Sequence, residues 1–158
     1  MKILKKLLPY IIILIVVILI RTFIVTPVRV SGVSMAPTLN NKDIMILNKI
    51  ASIERLSIIV IDYNGEQLIK RIIGLPGETI SIVDNEIIIN NKILTSDIGV
   101  GHNGNLPEVT LAEREYFVMG DNRTDSKDSR YFGPVNRDEI RGATSFVIFP
   151  FNNFGLKK

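Results

Sequence analysis

The sequence predicts a mainly β protein, an antiparallel, barrel-like sheet domain behind a single N-terminal transmembrane helix. Three observations predict it. One long apolar run lies near the start, over residues 7–20. After it come short segments rich in Ile and Val, separated by turn pairs such as Asn64-Gly65, Pro76-Gly77 and Asp84-Asn85. Helix signals beyond the first run are weak. A chain of 158 residues without internal repeats holds one domain of ordinary size.

Residues 7–20 are apolar except for Pro9 and Tyr10, and beyond Arg21 the run resumes at Phe23-Ile24-Val25. The whole is close to the ~20 residues that cross a bilayer as a helix. Arg21 then lies near the far interface, where its long side chain can reach the headgroups. Lys2, Lys5 and Lys6 precede the run with no acid among them. By the positive-inside rule this puts the N-terminus in the cytoplasm and the rest of the chain outside the cell membrane. A cleavable signal would end in small residues spaced A-x-A; here Thr26-Pro27 follow, so the segment reads as a retained anchor. A buried core helix would not need the basic flank, and an amphipathic surface helix would show a polar face. The expected division is 1–26 for the cytoplasmic end and anchor, and 27–158 for an extracytoplasmic domain.

Charge follows the same division. Residues 1–26 carry four basic side chains and no acid, and the remainder carries fifteen basic and sixteen acidic ones. The outer domain is near neutral, so the sequence pI of about 9.2 gives no reason to expect a nucleic-acid partner. Without cysteine the chain has neither a disulfide framework nor a thiolate metal site.

Strands are expected over residues 28–30, 43–47, 56–62, 67–73, 79–83, 86–89, 116–119 and 143–149. Asn64-Gly65 suits a type I′ turn that joins the strand ending near Asp62 to the one carrying Lys70, and Asp84-Asn85 marks a second hairpin. Asn136 can cap a short turn over 136–140. Residues 99–105, Gly- and Asn-rich around His102, read as a mobile loop, with the polar stretch continuing to Pro107.

The stretch Gly32-Val33-Ser34-Met35-Ala36-Pro37-Thr38-Leu39 carries one conspicuous hydroxyl, and a serine needs a base before it can attack at neutral pH. His102 is the usual residue type for that base, but its loop is a poor support. The alternative is a lysine held neutral by burial. Lys70 suits it: on a period-two strand it shares a face with Leu68 and Ile72, while Ile69, Arg71 and Ile73 face the other way. Covering that face would strip the amine of hydration and lower its pKa, as a base near neutral pH requires. Taken singly, both residues have plainer readings. Ser34 would be a turn or cap residue, and Lys70 an edge-strand lysine that opposes aggregation.

Three blocks change this balance. They are residues 31–39 around Ser34, then Lys70-Arg71-Ile72-Ile73-Gly74-Leu75-Pro76-Gly77-Glu78, then Met119-Gly120-Asp121-Asn122-Arg123 continuing through Asp125-Ser126-Lys127-Asp128-Ser129-Arg130 to Pro134. In this order behind an anchor, they resemble the type I signal peptidases, in particular the short Gram-positive form, and the likeness covers nearly the whole chain. The resemblance implies a membrane-anchored serine endopeptidase that cleaves signal peptides from exported preproteins after small residues, A-x-A in type. It implies Ser34 as nucleophile and Lys70 as general base. Ser126 would hold the lysine by a hydrogen bond, and Asp121, Asp128 and Arg130 would support the site. Val28, Val30 and Ile69, with Met35, Leu39 and Leu68 nearby, would form shallow apolar substrate pockets, though core packing is the plainer reading of each. The Ser34 N–H would be one oxyanion donor. Some family members place a serine two residues before the nucleophile as a second donor, and here Gly32 stands there, leaving water or another backbone group. The implied partners are preproteins, the lipid bilayer and the export machinery.

A catalytic lysine must lack a close carboxylate, since an ion pair would stabilise its charged form. Asp128 and Arg130 can satisfy this by neutralising each other. Asp121, Asp125 and Asp128 also suggest a calcium loop, but the glycine and glutamate of an EF-hand are missing and Arg123, Lys127 and Arg130 repel a cation. Neither metal nor cofactor is expected. Two other functions compete. An inactive relative serving as an interaction module would be marked by loss of Ser34 or Lys70, and a Ser-Lys self-cleaving regulator by a DNA-binding N-terminal domain.

Overall fold

The computed structural model describes residues 2–157; Met1 and Lys158, the two ends of the expected division, lie outside them. The apolar run forms helix α1 (Lys2–Phe23), and its 18-residue stretch Lys6–Phe23 is long and apolar enough to cross a membrane, with none of it buried against the rest of the chain. Only Ile24 separates α1 from strand β1 (Val25–Arg29). Lys49 fastens this joint: its Nζ donates to Thr22 O at 2.7 Å and its N–H to Ile24 O at 2.9 Å. A cation at carbonyls left unpaired by a helix C-terminus is favourable.

β1 runs antiparallel to β2 (Ile44–Asn48), and β3 (Ile58–Tyr63) and β4 (Glu66–Gly74) make the expected hairpin, with Tyr63 opposite Glu66. Asn64 and Gly65 have φ of 50° and 82°, as a type I′ turn demands. At the end of β4, Leu75-Pro76-Gly77-Glu78 turns the chain into a smaller sheet. Its strands are β5 (Thr79–Val83), β6 (Glu86–Ile89), β7 (Lys92–Ile93) and β8 (Leu106–Thr110), in the order β7-β6-β5-β8. The chain then returns through β9 (Glu115–Met119), the short helix α2 (Ser129–Phe132), β10 (Val135–Asn136), β11 (Ile140–Phe149) and β12 (Gly155–Leu156). In the larger sheet the order is β1-β2-β11-β3-β4-β9-β10, with β12 folded onto β11, and every pairing is antiparallel.

Four strands were not expected from the sequence. β7, β10 and β12 have two residues each, too short to show a period. β8 begins inside the stretch read as loop and contains Pro107; it is an edge strand, where a missing N–H is tolerated. β11 starts three residues earlier than expected because its ladder slips at Gly142, which reads as a breaker. The Asn136 cap is formed as expected: its Oδ1 accepts from Asp138 N, and Glu139 returns a carboxylate to Asn136 N.

Three apolar clusters hold these pieces. Ile73, Ile80, Ile82, Ile87 and Ile89, with Phe117 and Met119, bind the small sheet to the ends of β4 and β9. At about 1.5–3 kcal/mol for each fully buried aliphatic side chain, these five isoleucines suffice to keep the two sheets together. Val30, Met35, Leu39, Met45, Ile58 and Val147 fill the space below the β1–β2 connection. Ile59, Ile61, Ile72, Val118, Val135 and Ile140 fill the third cluster, on the β4 face that carries Lys70.

Candidate active site

Ser34 lies on the connection between β1 and β2. Met35 and Leu39, both buried, pin this turn to the core, and Leu39 N–H donates to Met35 O at 2.9 Å. The turn is therefore a rigid support despite its Gly, Pro and Thr content. Lys70 approaches it from β4. On that strand Lys70 sits opposite Ile59, with Leu68 opposite Ile61, so the face predicted by alternation is the covered one. Arg71, on the other face, is 1% exposed, so β4 is covered on both sides.

Lys70 Nζ lies 2.8 Å from Ser34 Oγ. At this separation an ammonium donates to the hydroxyl, and a neutral amine accepts its proton. Burial, which leaves Lys70 3% exposed, lowers its pKa below the ordinary lysine value. Asp128 opposes the shift, Arg130 adds to it and Asp121 opposes it more weakly.

Neither acid pairs with the lysine. Asp128 takes Arg130 Nε at 2.8 Å and Nη2 at 2.9 Å, and its Oδ2 also accepts Gly120 N–H at 2.9 Å. Asp121 is held by Arg71, Nε to Oδ1 at 2.7 Å and Nη2 to Oδ2 at 2.6 Å, in a wholly buried pair. Arg71 as the partner of Asp121 is not among the expectations from sequence. The available signal was a charged residue between Ile69 and Ile73, on a face that would need a counter-charge if covered.

Gly120 is where the third block meets the first. A Cβ there would lie 2.2 Å from Ser126 Oγ and 2.5 Å from Ser34 O, so the close approach leaves no room for a side chain. Asn122 N–H donates to Ser34 O at 3.0 Å, and Asn122 Nδ2 to Val33 O at 3.3 Å. Ser126 is buried, but the hydrogen bond expected between it and Lys70 is not formed; its Oγ has no partner among the described residues. The Ser34 N–H is likewise unengaged among them.

His102 is exposed and stands outside this arrangement; only its main chain is bonded, N–H to Thr124 Oγ1 and O from Arg130 Nη1. Its loop, which the composition suggested to be mobile, is tied at several points to the third block. Val100 pairs with Asn122, Arg130 holds the carbonyls of His102 and Asn103, and Arg123 binds Asp97 and Asn103. Arginines supplied from another part of the chain override a Gly- and Asn-rich local sequence.

A cleft of about 570 Å³ opens onto Ser34 and Lys70, with Leu68, Tyr63, Phe132 and Glu66 in its walls. A larger one, about 650 Å³, lies elsewhere beside Ile46, Ile58 and Phe146 and contains neither residue of the pair. Of the six expected pocket residues only Leu68 lines the Ser34 cleft; Val30, Met35 and Leu39 are core, and Val28 and Ile69 pack half-buried against them. β9 pairs with β4 only from Arg71 onward, so beside Ile69 that edge of β4 has no strand neighbour. Ile72 bonds to Ser57 and Leu56 on the β3 side, and alternation turns the N–H and C=O of Ile69 toward the open edge.

The family model described as signal peptidase, peptidase S26, matches residues 3–149. Signal peptidase I T of Bacillus subtilis strain 168 is 38% identical, over 89% of this chain and 82% of its own. Signal peptidase IB of Staphylococcus aureus is 31% identical, over 84% and 82%. The crystal structure of a signal peptidase I from Enterococcus faecalis V583 superposes with a TM-score of 0.51 at 36% identity, covering 60% of this chain and 97% of that one.

Proposed function

We infer, from the premise that this chain belongs to the signal peptidase family, peptidase S26, and is a signal-peptide-cleaving serine endopeptidase, that Ser34 is its nucleophile and Lys70 its general base. The observation that carries this is the 2.8 Å separation of Lys70 Nζ from Ser34 Oγ, with the lysine buried and ion-paired with no carboxylate among the described residues. Neutral Lys70 takes the Ser34 proton as Oγ attacks the scissile carbonyl. It then passes the proton to the leaving amine and activates the water that hydrolyses the acyl-enzyme. The unengaged Ser34 N–H supports a role as oxyanion donor. Ser126, whose buried hydroxyl is unpartnered, is the group available to steady the lysine during transfer. Asp121, Asp128 and Arg130 act as structure, holding the third block against Ser34.

Substrate enters as an extended peptide along the open edge beside Ile69, which is β-augmentation. Leu68, which lines the cleft, and the half-buried Val28 and Ile69 beside that path favour small residues one and three positions before the cut, giving the A-x-A preference, while Val30, Met35 and Leu39 back them from the core. Residues 1–26 anchor the enzyme in the cell membrane with the N-terminus cytoplasmic. The catalytic domain, 27–158, then meets preproteins outside, where export delivers them. The test is cleavage of a purified preprotein in lipid by the intact chain, beside Ser34→Ala and Lys70→Ala, with sequencing of the new N-terminus. Cutting after A-x-A by the native chain, and none by either folded variant, is expected. Activity retained by Lys70→Ala would send the search for the base elsewhere.

A further inference from the structure

Asp97 lies in none of the three blocks, yet its carboxylate is engaged by both terminal nitrogens of Arg123, a guanidinium 1% exposed. The same arginine donates from Nε to Gly120 O at 2.9 Å. Gly120 is thereby held at both ends, its N–H by Asp128 and its carbonyl by Arg123. The loop carrying Asp97 also lies directly on this segment. Val100 N–H donates to Asp121 O at 2.7 Å, and Arg123 N–H to Val100 O at 2.8 Å. A Cβ on Gly99 would sit 2.1 Å from Arg123 Cζ, so the loop backbone rests against the guanidinium. On its far side the 120–122 segment bears on the nucleophile, through Asn122 N–H to Ser34 O and through the contact of Gly120 with that oxygen.

We propose that Asp97 is a positioning residue for Ser34, acting through Arg123 on the 120–122 segment that holds the Ser34 carbonyl. This rests on Ser34 being the nucleophile. An unpaired guanidinium in this buried place is costly, so without the Asp97 charge Arg123 turns toward water and releases Gly120 O. The segment then loses its fixed height against Ser34. Ser34 Oγ and Lys70 Nζ are on different elements, so a small displacement of the Ser34 peptide opens the proton-transfer distance while leaving the peptide-binding edge of β4 intact. The connection between the small sheet and the third block is thus part of the catalytic apparatus.

The experiment uses the full chain in lipid vesicles with a preprotein substrate, comparing wild type, Asp97→Asn, Arg123→Gln and the double variant. Asp97→Asn is expected to lower kcat by about 10- to 100-fold, the cost of a misplacement near 1 Å, with KM within about twofold. The acid limb of the pH profile stays in place, because the surroundings of Lys70 are unchanged. The double variant should be no slower than Arg123→Gln alone. Wild-type kcat in Asp97→Asn, a raised KM at unchanged kcat, or additive losses in the double variant would each overturn the assignment. If Asp97→Asn does not keep the wild-type melting temperature, Asp97→Glu, which keeps the charge but shifts it by one methylene, takes its place. A kcat lowered about threefold or more at unchanged KM and melting supports the proposal, and wild-type kcat overturns it. Ser34→Ala, run alongside, separates the two readings. Activity retained there removes the nucleophile itself, whereas an inactive Ser34→Ala beside a fully active Asp97→Asn removes only the role of Asp97.

Discussion

Gly120→Ala probes the contact between the third block and Ser34, the proposed nucleophile. The added Cβ would lie 2.5 Å from Ser34 O, where a carbon ordinarily keeps about 3.3–3.6 Å from a carbonyl oxygen, so roughly 1 Å must open. Ser126 Cβ, at 2.6 Å, is fixed to its own backbone, although Ser126 Oγ, at 2.2 Å, can rotate away because it ends a side chain. Ser34 O cannot, being a backbone atom tied to Asn122 N–H. The displacement therefore falls on the Ser34 peptide and the Ser126 main chain together. A reacting group moved by about 1 Å loses on the order of 100-fold in rate, or about 2.7 kcal/mol of transition-state stabilisation. Overpacking costs about 1–3 kcal/mol of stability, and a chain of this size loses about 2–4 °C in Tm per kcal/mol, so the variant remains folded at room temperature. Steady-state cleavage of a preprotein with circular dichroism on the same preparation checks it. A folded Gly120→Ala with kcat within about twofold of wild type would refute the claim that this contact sets the position of Ser34.

With Lys70 as the proposed general base, which must be neutral to act, and its pKa lowered by burial, kcat/KM is expected to fall as pH drops through a limb lying below the ordinary lysine range, which a pH profile measures directly. The same shift fixes the sign for stability. The unfolded chain protonates Lys70 near pH 10.4, about its free value, while the folded chain resists, so stability falls with decreasing pH across that window and the full penalty persists below it. Lys70→Met should be inactive yet melt higher than wild type at neutral pH, with the gap closing as pH approaches 10; equal or lower melting throughout would count against a burial penalty. Asp128→Asn leaves Arg130 without its counter-charge inside the fold and should cost about 3–5 kcal/mol, seen as a lowered Tm. The folded fraction keeps its activity, with the acid limb displaced to lower pH because the carboxylate that raises the Lys70 pKa is gone. Lost activity at unchanged melting would contradict this.

The pair at the centre was legible through the resemblance of the three blocks, and two local rules were consistent with it. Period-two alternation put Lys70 between Leu68 and Ile72, and the Asn64-Gly65 turn fixed the hairpin that presents it. The Asp128–Arg130 pair could also be anticipated, since the residues are two apart and a nearby lysine needed its acid neutralised. Arg71–Asp121 and Arg123–Asp97 could not be assigned in the same way. Their partners are 50 and 26 residues apart, and no local spacing says which acid a buried arginine meets. The contacts of the loop around His102 were not legible for this reason, because the arginines that hold it come from the third block. Small strands such as β7 and β12 exist only by pairing with longer neighbours, so they have no signature of their own.

The joint between α1 and β1 sets a working height. One residue, Ile24, stands between helix and sheet, and Lys49 ties the sheet back to the helix end, so the domain has almost no slack relative to its anchor. Ser34 follows Phe23 by eleven residues, and at no more than about 3.6 Å per residue it lies within about 40 Å of the helix end. With α1 in a bilayer, cleavage at Ser34 is then confined to a layer within about 40 Å of the helix end, and a peptide bond held by its own apolar segment is presented at a fixed depth relative to that layer. Depth in the membrane, as much as side-chain size, would decide where a preprotein is cut.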